Sequence, residues 1–146
     1  MEIIVGTIIM RDGKILMTKE AKEKCYGKWS FPAGHLEPNE AIYAGAKRET
    51  YEETGCTVEL KKAFPVFLKN TDDFKIVMMY FLADLVNEEK DYKTDEILET
   101  KWVSVEEIKK MKEQELRSSE VVKQIVKYLE DGSLYSLKIV KDLPKM

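Results

Sequence analysis

The sequence predicts an α/β fold, a mixed β-sheet flanked by helices, on three observations. Extended runs rich in Ile, Val, Phe and Tyr occupy the beginning and the middle of the chain. One stretch of helical spacing, Glu40–Thr54, interrupts them, and two further helical patterns follow the TKWVS run. Strands on both sides of one helix, with helices again at the end, bury their apolar faces as a sheet covered by helices. The 146 residues suit one domain, 1–146, with a single sizeable core. Hydrophobic residues at 44% and charged residues at 35% match a globular chain and argue against disorder.

Each element has its own signal. Ile3–Met10 and Lys14–Lys19 flank RDGK, whose Asp12-Gly13 pair suits a tight hairpin. EAKEKCYGK is polar and contains Gly27, as expected of a mobile loop, and WSF then gives a short strand ended by Pro32. The helix from about Glu40 to Thr54 stops at Gly55, a residue suited to a C-cap. Thr57–Lys69 and Phe74–Leu85 read as two extended runs joined at NTDD by a hairpin, and Asn87–Glu96 is acidic and irregular. TKWVS resumes a strand, and SVEE sets Ser104 and Glu107 as the capping box of a short helix. SEVVKQIVKYLEDG carries Val121, Val122, Ile125, Tyr128 and Leu129 at helical spacing, and LYSLKIV is expected to add a last short strand.

Composition narrows the function. With 24 basic and 27 acidic residues, net −3, there is no general electrostatic case for binding long nucleic acid. IVMMYFLADLV is too short to span a bilayer and contains Asp84, so no membrane role is expected. MEIIVGTIIM lacks a basic start and runs straight into the Asp12-Gly13 turn, which fits a strand and not a leader. Cys25 and Cys56 match no zinc spacing and suit a reducing compartment, so the expected location is cytoplasmic.

The central helix poses a physical problem. Glu49, Glu52 and Glu53 stand three and four residues apart, where each pair of like charges costs roughly 0.2–0.5 kcal/mol. At about 100° per residue the three acids share a face with Ala41, Ile42, Gly45 and Ala46, while Glu40, Lys47, Tyr51 and Thr54 project to the other side. Carboxylates that prolong a core-facing stripe are partly desolvated unless a cation compensates them. Mg²⁺, with Mn²⁺ as a substitute, fits a cluster of hard oxygen ligands, and the absence of His and Cys from it argues against zinc. Arg48 is placed to orient a carboxylate, Gly34 to give a tight backbone path, and a carbonyl near Ala33 to complete the coordination sphere.

Gly34, five residues, Glu40, seven residues, then Arg48, Glu49, Thr50, Tyr51, Glu52, Glu53, Thr54, Gly55 and Cys56 is similar to the Nudix box, GX5EX7REUXEEXGU. All seven fixed positions, Gly34, Glu40, Arg48, Glu49, Glu52, Glu53 and Gly55, are filled. Thr50 and Cys56 replace bulky aliphatic residues at the U positions, which bears on packing more than chemistry. The order of strands also resembles the Nudix α/β/α sandwich over nearly the whole chain. WSFPAGHLE, KWVSVEEI, LRSSEVV and KYLEDGSLYSL look similar, in the same order, to the NudJ-type Nudix phosphatases, which act on nucleoside di- and triphosphates and a thiamine-precursor pyrophosphate.

The resemblance implies a metal-dependent hydrolase that cleaves a diphosphate linkage by attack of water on phosphorus. It implies Glu52 and Glu53 as ligands, Glu49 as ligand or water-orienting base, Arg48 as its positioner and Glu40 as a brace of the loop. A further base or ligand is expected from Asp95, Glu96 or Glu99, with Glu96 favoured by its place before the WVS strand. Phe31, Trp29 and Tyr80 are candidates for stacking or for the core, and Arg117 for a phosphate contact or an exposed helix start. His35, the only histidine, is a candidate base or a loop hydrogen-bonding group, and Lys19, Lys22 and Lys24 are candidates to steer polyphosphate. The expected partner is a small nucleotide or pyrophosphate, a homodimer stays open, and the competing reading is an inactive Nudix-fold nucleotide sensor.

Overall fold

β1 (Glu2–Arg11) and β2 (Lys14–Glu20) form the expected hairpin, turned by Asp12 and Gly13 with φ of 51° and 76°. Two successive positive φ values match the twist of the flanking strands. The computed structural model describes residues 1–143. β1 is apolar along its length because it is an interior strand. β2 pairs with it antiparallel, and β7 (Lys75–Glu88) lies parallel to it on the other side. Its side chains alternate between two cores, Ile8 entering one and Ile9 the other, as Ile15 and Met17 do against Leu16 on β2.

The sheet is therefore covered twice. Its main path runs β3 (Trp29–Ser30), β2, β1, β7 and β5 (Cys56–Ala63). β4 (Ala33–His35) also pairs with β1, β6 (Phe67–Asn70) with β7, and β8 (Ile97–Ser104) with β2. α1 (Ile42–Thr54) closes one face with Ala46 against Val5, Ile9 and Phe81. α2 (Val105–Lys110) and α3 (Ser119–Asp131) close the other, with Ile108, Val122 and Ile125 packed against Ile8, Ile15 and Phe31. Each fully buried aliphatic side chain contributes about 1.5–3 kcal/mol. The result is the α/β/α sandwich, with Ser104 and Glu107 forming the expected capping box of α2.

Four expectations are corrected. Thr57–Lys69 is two strands and not one run, because Phe64–Val66 lies between β5 and β6 and Pro65 has no N–H to give a ladder. LYSLKIV adds no strand. Tyr135 makes a single bridge to Ala63, and the Ser136 side chain then accepts from Lys138 N and starts a 3₁₀ turn at Leu137–Ile139. α1 begins at Ile42, because the Glu40 side chain turns back to accept from Glu37 N. Its inner face is also rotated from the projected one. Glu49, Thr50, Glu53 and Thr54 are buried while the Glu52 side chain is 49% exposed. Thr54 turns inward, its hydroxyl donating to Thr50 O and accepting from Cys56 N at the end of the helix.

Candidate active site

α1 presents two rows of acids to different surroundings. Along its outer edge Arg48 acts as a hub. Its Nε and Nη2 donate to the two oxygens of Glu40 at 2.5 and 2.8 Å, and its Nη1 donates to Glu49 and Glu52 at 2.9 and 3.1 Å. A bidentate guanidinium–carboxylate pair is the strongest of these geometries. It holds the Glu40 carboxyl below its usual range, and it is the positive partner that offsets Glu52. Nη2 also donates to the carbonyl of His35, which ties the 34–40 loop to the helix.

The inner row is different. Glu53 is 2% exposed; its Oε1 accepts from Ala33 N at 3.1 Å, and its Oε2 has no partner among the described residues. Burial, with the nearby charge of Glu20, pushes its carboxyl up to about 8. Burial likewise raises Glu49, against the pull of Arg48. Carboxylate oxygens of Glu49, Glu53 and Glu96 lie within 4.8 Å of one another. Three acids so close, one of them with an orphaned buried oxygen, fit a divalent cation held by oxygen ligands.

Gly34 explains how the loop reaches this cluster. A Cβ at that position would lie 2.1 Å from Glu49 Oε2, so any other residue would displace the Glu49 carboxylate. Ala33 and Gly34 also border a cavity of about 340 Å³. Phe31, Tyr80, Glu20 and Arg117 line its interior, and Lys22 and Lys24 stand at it. Arg117 is fixed twice, by its backbone N on Trp29 O at 2.9 Å and by Nη1 at 3.3 Å from Glu20 Oε1.

Of the three acids named near the last strands, the structure brings Glu96 to the cluster. Glu52 stays at the outer edge on Arg48, and its carboxylate is not among the three that meet. His35 points elsewhere, its Nε2 3.3 Å from Glu2 and its side chain 62% exposed, although it borders the cavity. Trp29 carries Lys19 over its ring at 5.9 Å.

Two residues escaped the sequence reading. Glu20 ends β2 at the start of a polar stretch that reads as a loop, and the β2–β8 register shifts there, Lys19 facing Glu99 and Glu20 facing Ile97. It is 2% exposed and its Oε2 has no partner. Tyr92 lies in the acidic loop, where nothing in the pattern marks it, and its hydroxyl donates to Glu52 O at 2.7 Å.

The family model for the NUDIX domain matches residues 2–125. The chain belongs to the Nudix family. The phosphatase NudJ of Shigella boydii is 32% identical over 146 residues, covering 96% of this chain and 90% of that protein. A nudix hydrolase of Caenorhabditis elegans is 28% identical, covering 96% of this chain but only 40% of that longer protein. The 8-oxo-dGDP phosphatase NUDT18 of Danio rerio is 45% identical over 53 residues, 36% of this chain and 16% of that one. Among solved structures, a NUDIX hydrolase from Nitrosomonas europaea superposes with a TM-score of 0.88 at 27% identity and 97% coverage of both chains. Nudix hydrolases use a divalent metal, and the acidic cluster of this Nudix chain is where one fits. Among the described residues no helix is long and apolar enough to cross a membrane.

Proposed function

We propose that this protein is a Mg²⁺-dependent hydrolase of the diphosphate linkage in a nucleoside di- or triphosphate or a related pyrophosphate, a thiamine-precursor pyrophosphate included. The observation that carries the reading is the meeting of Glu49, Glu53 and Glu96 with a buried, unpartnered oxygen on Glu53. Glu49 and Glu53 hold the cation, Mn²⁺ serving in place of Mg²⁺, with Glu52 and the carbonyl side of Ala33 at its border. When bound, the ion supplies charge neutralisation for the diphosphate and makes water more acidic.

The chain's own groups do the rest. Arg48 fixes the Glu49 carboxylate through its Nη1 while its other nitrogens hold Glu40. Glu96, exposed where the others are buried, takes the proton as water attacks phosphorus and the P–O bond to the leaving group breaks. Phe31 and Tyr80 give the cavity an aromatic lining for the organic part of the substrate, Gly34 borders it, and Arg117, Lys22 and Lys24 draw the phosphates by charge. The name of the NudJ relative, a phosphatase, supports the same class of reaction.

A panel of nucleotides and pyrophosphates, assayed for phosphate or pyrophosphate release with and without Mg²⁺, tests this. Metal-dependent release that Glu53→Gln abolishes is the expected result. Nucleotide binding without product under Mg²⁺ or Mn²⁺ would sink the hydrolase and leave the sensor.

A further inference from the structure

We propose that Tyr92 is a positioning residue, a latch that docks the 89–96 loop on the end of α1 and thereby holds Glu96 against Glu49 and Glu53. The role of the latch in turnover rests on the hydrolase reading above; its role in building the acidic cluster does not.

Glu96 is the exposed member of the trio, and it sits on a loop that is solvated at most of its positions. The loop is tied at its entry by Glu89 N on Gly55 O at 3.0 Å and at its exit by Ala21 N on Glu96 O at 3.0 Å. Those ties fix the ends and leave the path between them open. Tyr92 and Thr94 are the half-buried residues in between.

Three contacts converge on Tyr92. Its hydroxyl donates to the carbonyl of Glu52 at 2.7 Å, one of the C-terminal carbonyls a helix leaves without an internal partner. Its ring lies 5.7 Å from that of Tyr51 at 56°, and the Tyr51 hydroxyl in turn bonds Glu89 Oε2 at 2.5 Å. Its ring also covers Gly55. A Cβ there would lie 2.5 Å from Tyr92 Cγ, so this glycine serves twice, taking φ of 71° as the helix cap and leaving bare backbone for the ring. Asp91, at φ 58°, turns the chain just before Tyr92. The loop is thus fastened to the same helix turn that carries Glu52 and Glu53, and Glu96 follows four residues later.

The test compares Tyr92→Ala and Tyr92→Phe, each alone and combined with Glu96→Gln. Two readouts are used: kcat and KM for Mg²⁺-dependent hydrolysis of a nucleoside triphosphate, and Mn²⁺ affinity by electron paramagnetic resonance. Tyr92→Ala is expected to lower kcat by about tenfold or more with KM within about twofold, and to weaken Mn²⁺ binding, as loss of an outer partner does. Tyr92→Phe keeps the ring on Gly55 and is expected to lose only about two- to threefold. In the Glu96→Gln background either substitution should add less than about twofold to either readout, because the group it positions is gone. Equal losses in both backgrounds, or no loss with Glu96 present, overturn the latch. Should Tyr92→Ala fail to fold, Tyr92→Phe decides by the same criterion. If the wild type binds Mn²⁺ but turns over nothing, the hydrolase reading falls alone, and the Mn²⁺ cycle still decides the latch.

Discussion

The two edges of α1 carry acids of the same kind and treat them in opposite ways. On the outer edge Glu52, and Glu40 just before the helix, share the Arg48 guanidinium, which also takes one oxygen of Glu49 and holds the Glu40 carboxyl below its usual range. On the inner edge Glu53 is buried with one oxygen unpartnered and its carboxyl raised, and Glu20 nearby is buried with another. Buried polar groups are nearly always paired, so an exception in a well-packed fold asks for a missing partner. The paired edge is scaffold. The unpaired edge is where the proposed cation would supply the missing charge.

The largest effect is expected from removing the unpaired acid. Glu53→Gln keeps the shape and the bond from Ala33 N but removes the charge, and turnover should fall by at least about a hundredfold, since even outer partners of metal ligands are worth 10–100-fold. The fold should persist. A steady-state assay beside a thermal melt checks this, and retained turnover would erase the contrast between the two edges.

Much of this arrangement was legible in the chain. The box spacing marks Glu40, Arg48, Glu49, Glu52, Glu53 and Gly55, and the place ahead of a strand marks Glu96. Like charges on adjacent turns signalled a missing cation, and Arg48 supplies part of that answer by itself. The face of the helix was less legible. Helical projection grouped Glu52 with Glu53, yet a difference of one residue is about 100°, enough to carry one to solvent and leave the other buried. Glu20 and Tyr92 were out of reach for a different reason. Their roles depend on a register shift between β2 and β8 at Glu20 and on how a loop lands on a helix end, which are tertiary facts that local pattern does not encode.

The scaffold edge can be broken as well. Arg48→Ala leaves Glu40 and Glu49, each nearly buried, without their counter-charge, and loss of one partner of such a cluster should cost about 3 kcal/mol of stability. Arg48→Lys should recover only part of it, because an ammonium cannot grip both oxygens of Glu40 while reaching Glu49. Urea midpoints at fixed pH measure both. If Arg48→Ala is no less stable than the parent, the outer edge is not scaffold.

Titration sharpens the comparison from the other side. The Glu53 carboxyl is raised from an ordinary 4.5 to about 8, so between those values the folded, metal-free protein binds a proton that the unfolded chain has released. The sign follows from linkage: this contribution to stability is complete below about pH 4.5 and is lost as pH climbs through about 8. A cation must displace that proton, so Mg²⁺ or Mn²⁺ affinity should rise with pH across the same window. Glu53→Gln should flatten the stability profile there. Calorimetric titration of Mn²⁺ between pH 5 and about 9 checks the affinity, and an affinity indifferent to pH would remove Glu53 from the site.

The smallest effect lies where the helix meets the sheet. Thr50 stands at a box position that usually holds an aliphatic residue, and here it is fully buried with its hydroxyl 2.6 Å from that of Thr7 on β1. Because the Thr50 hydroxyl donates to Ala46 O, the proton between the two hydroxyls belongs to Thr7. Thr50→Val therefore strands a buried donor and should cost about 1–2 kcal/mol, whereas Thr7→Val with Thr50→Val removes both partners together and should restore most of it. The coupling between the two substitutions is the quantity to measure. A double variant as unstable as the sum of the singles would mean that the hydroxyl pair does not join α1 to the sheet, and that the carboxylates of the two edges are held in place by Arg48 and packing alone.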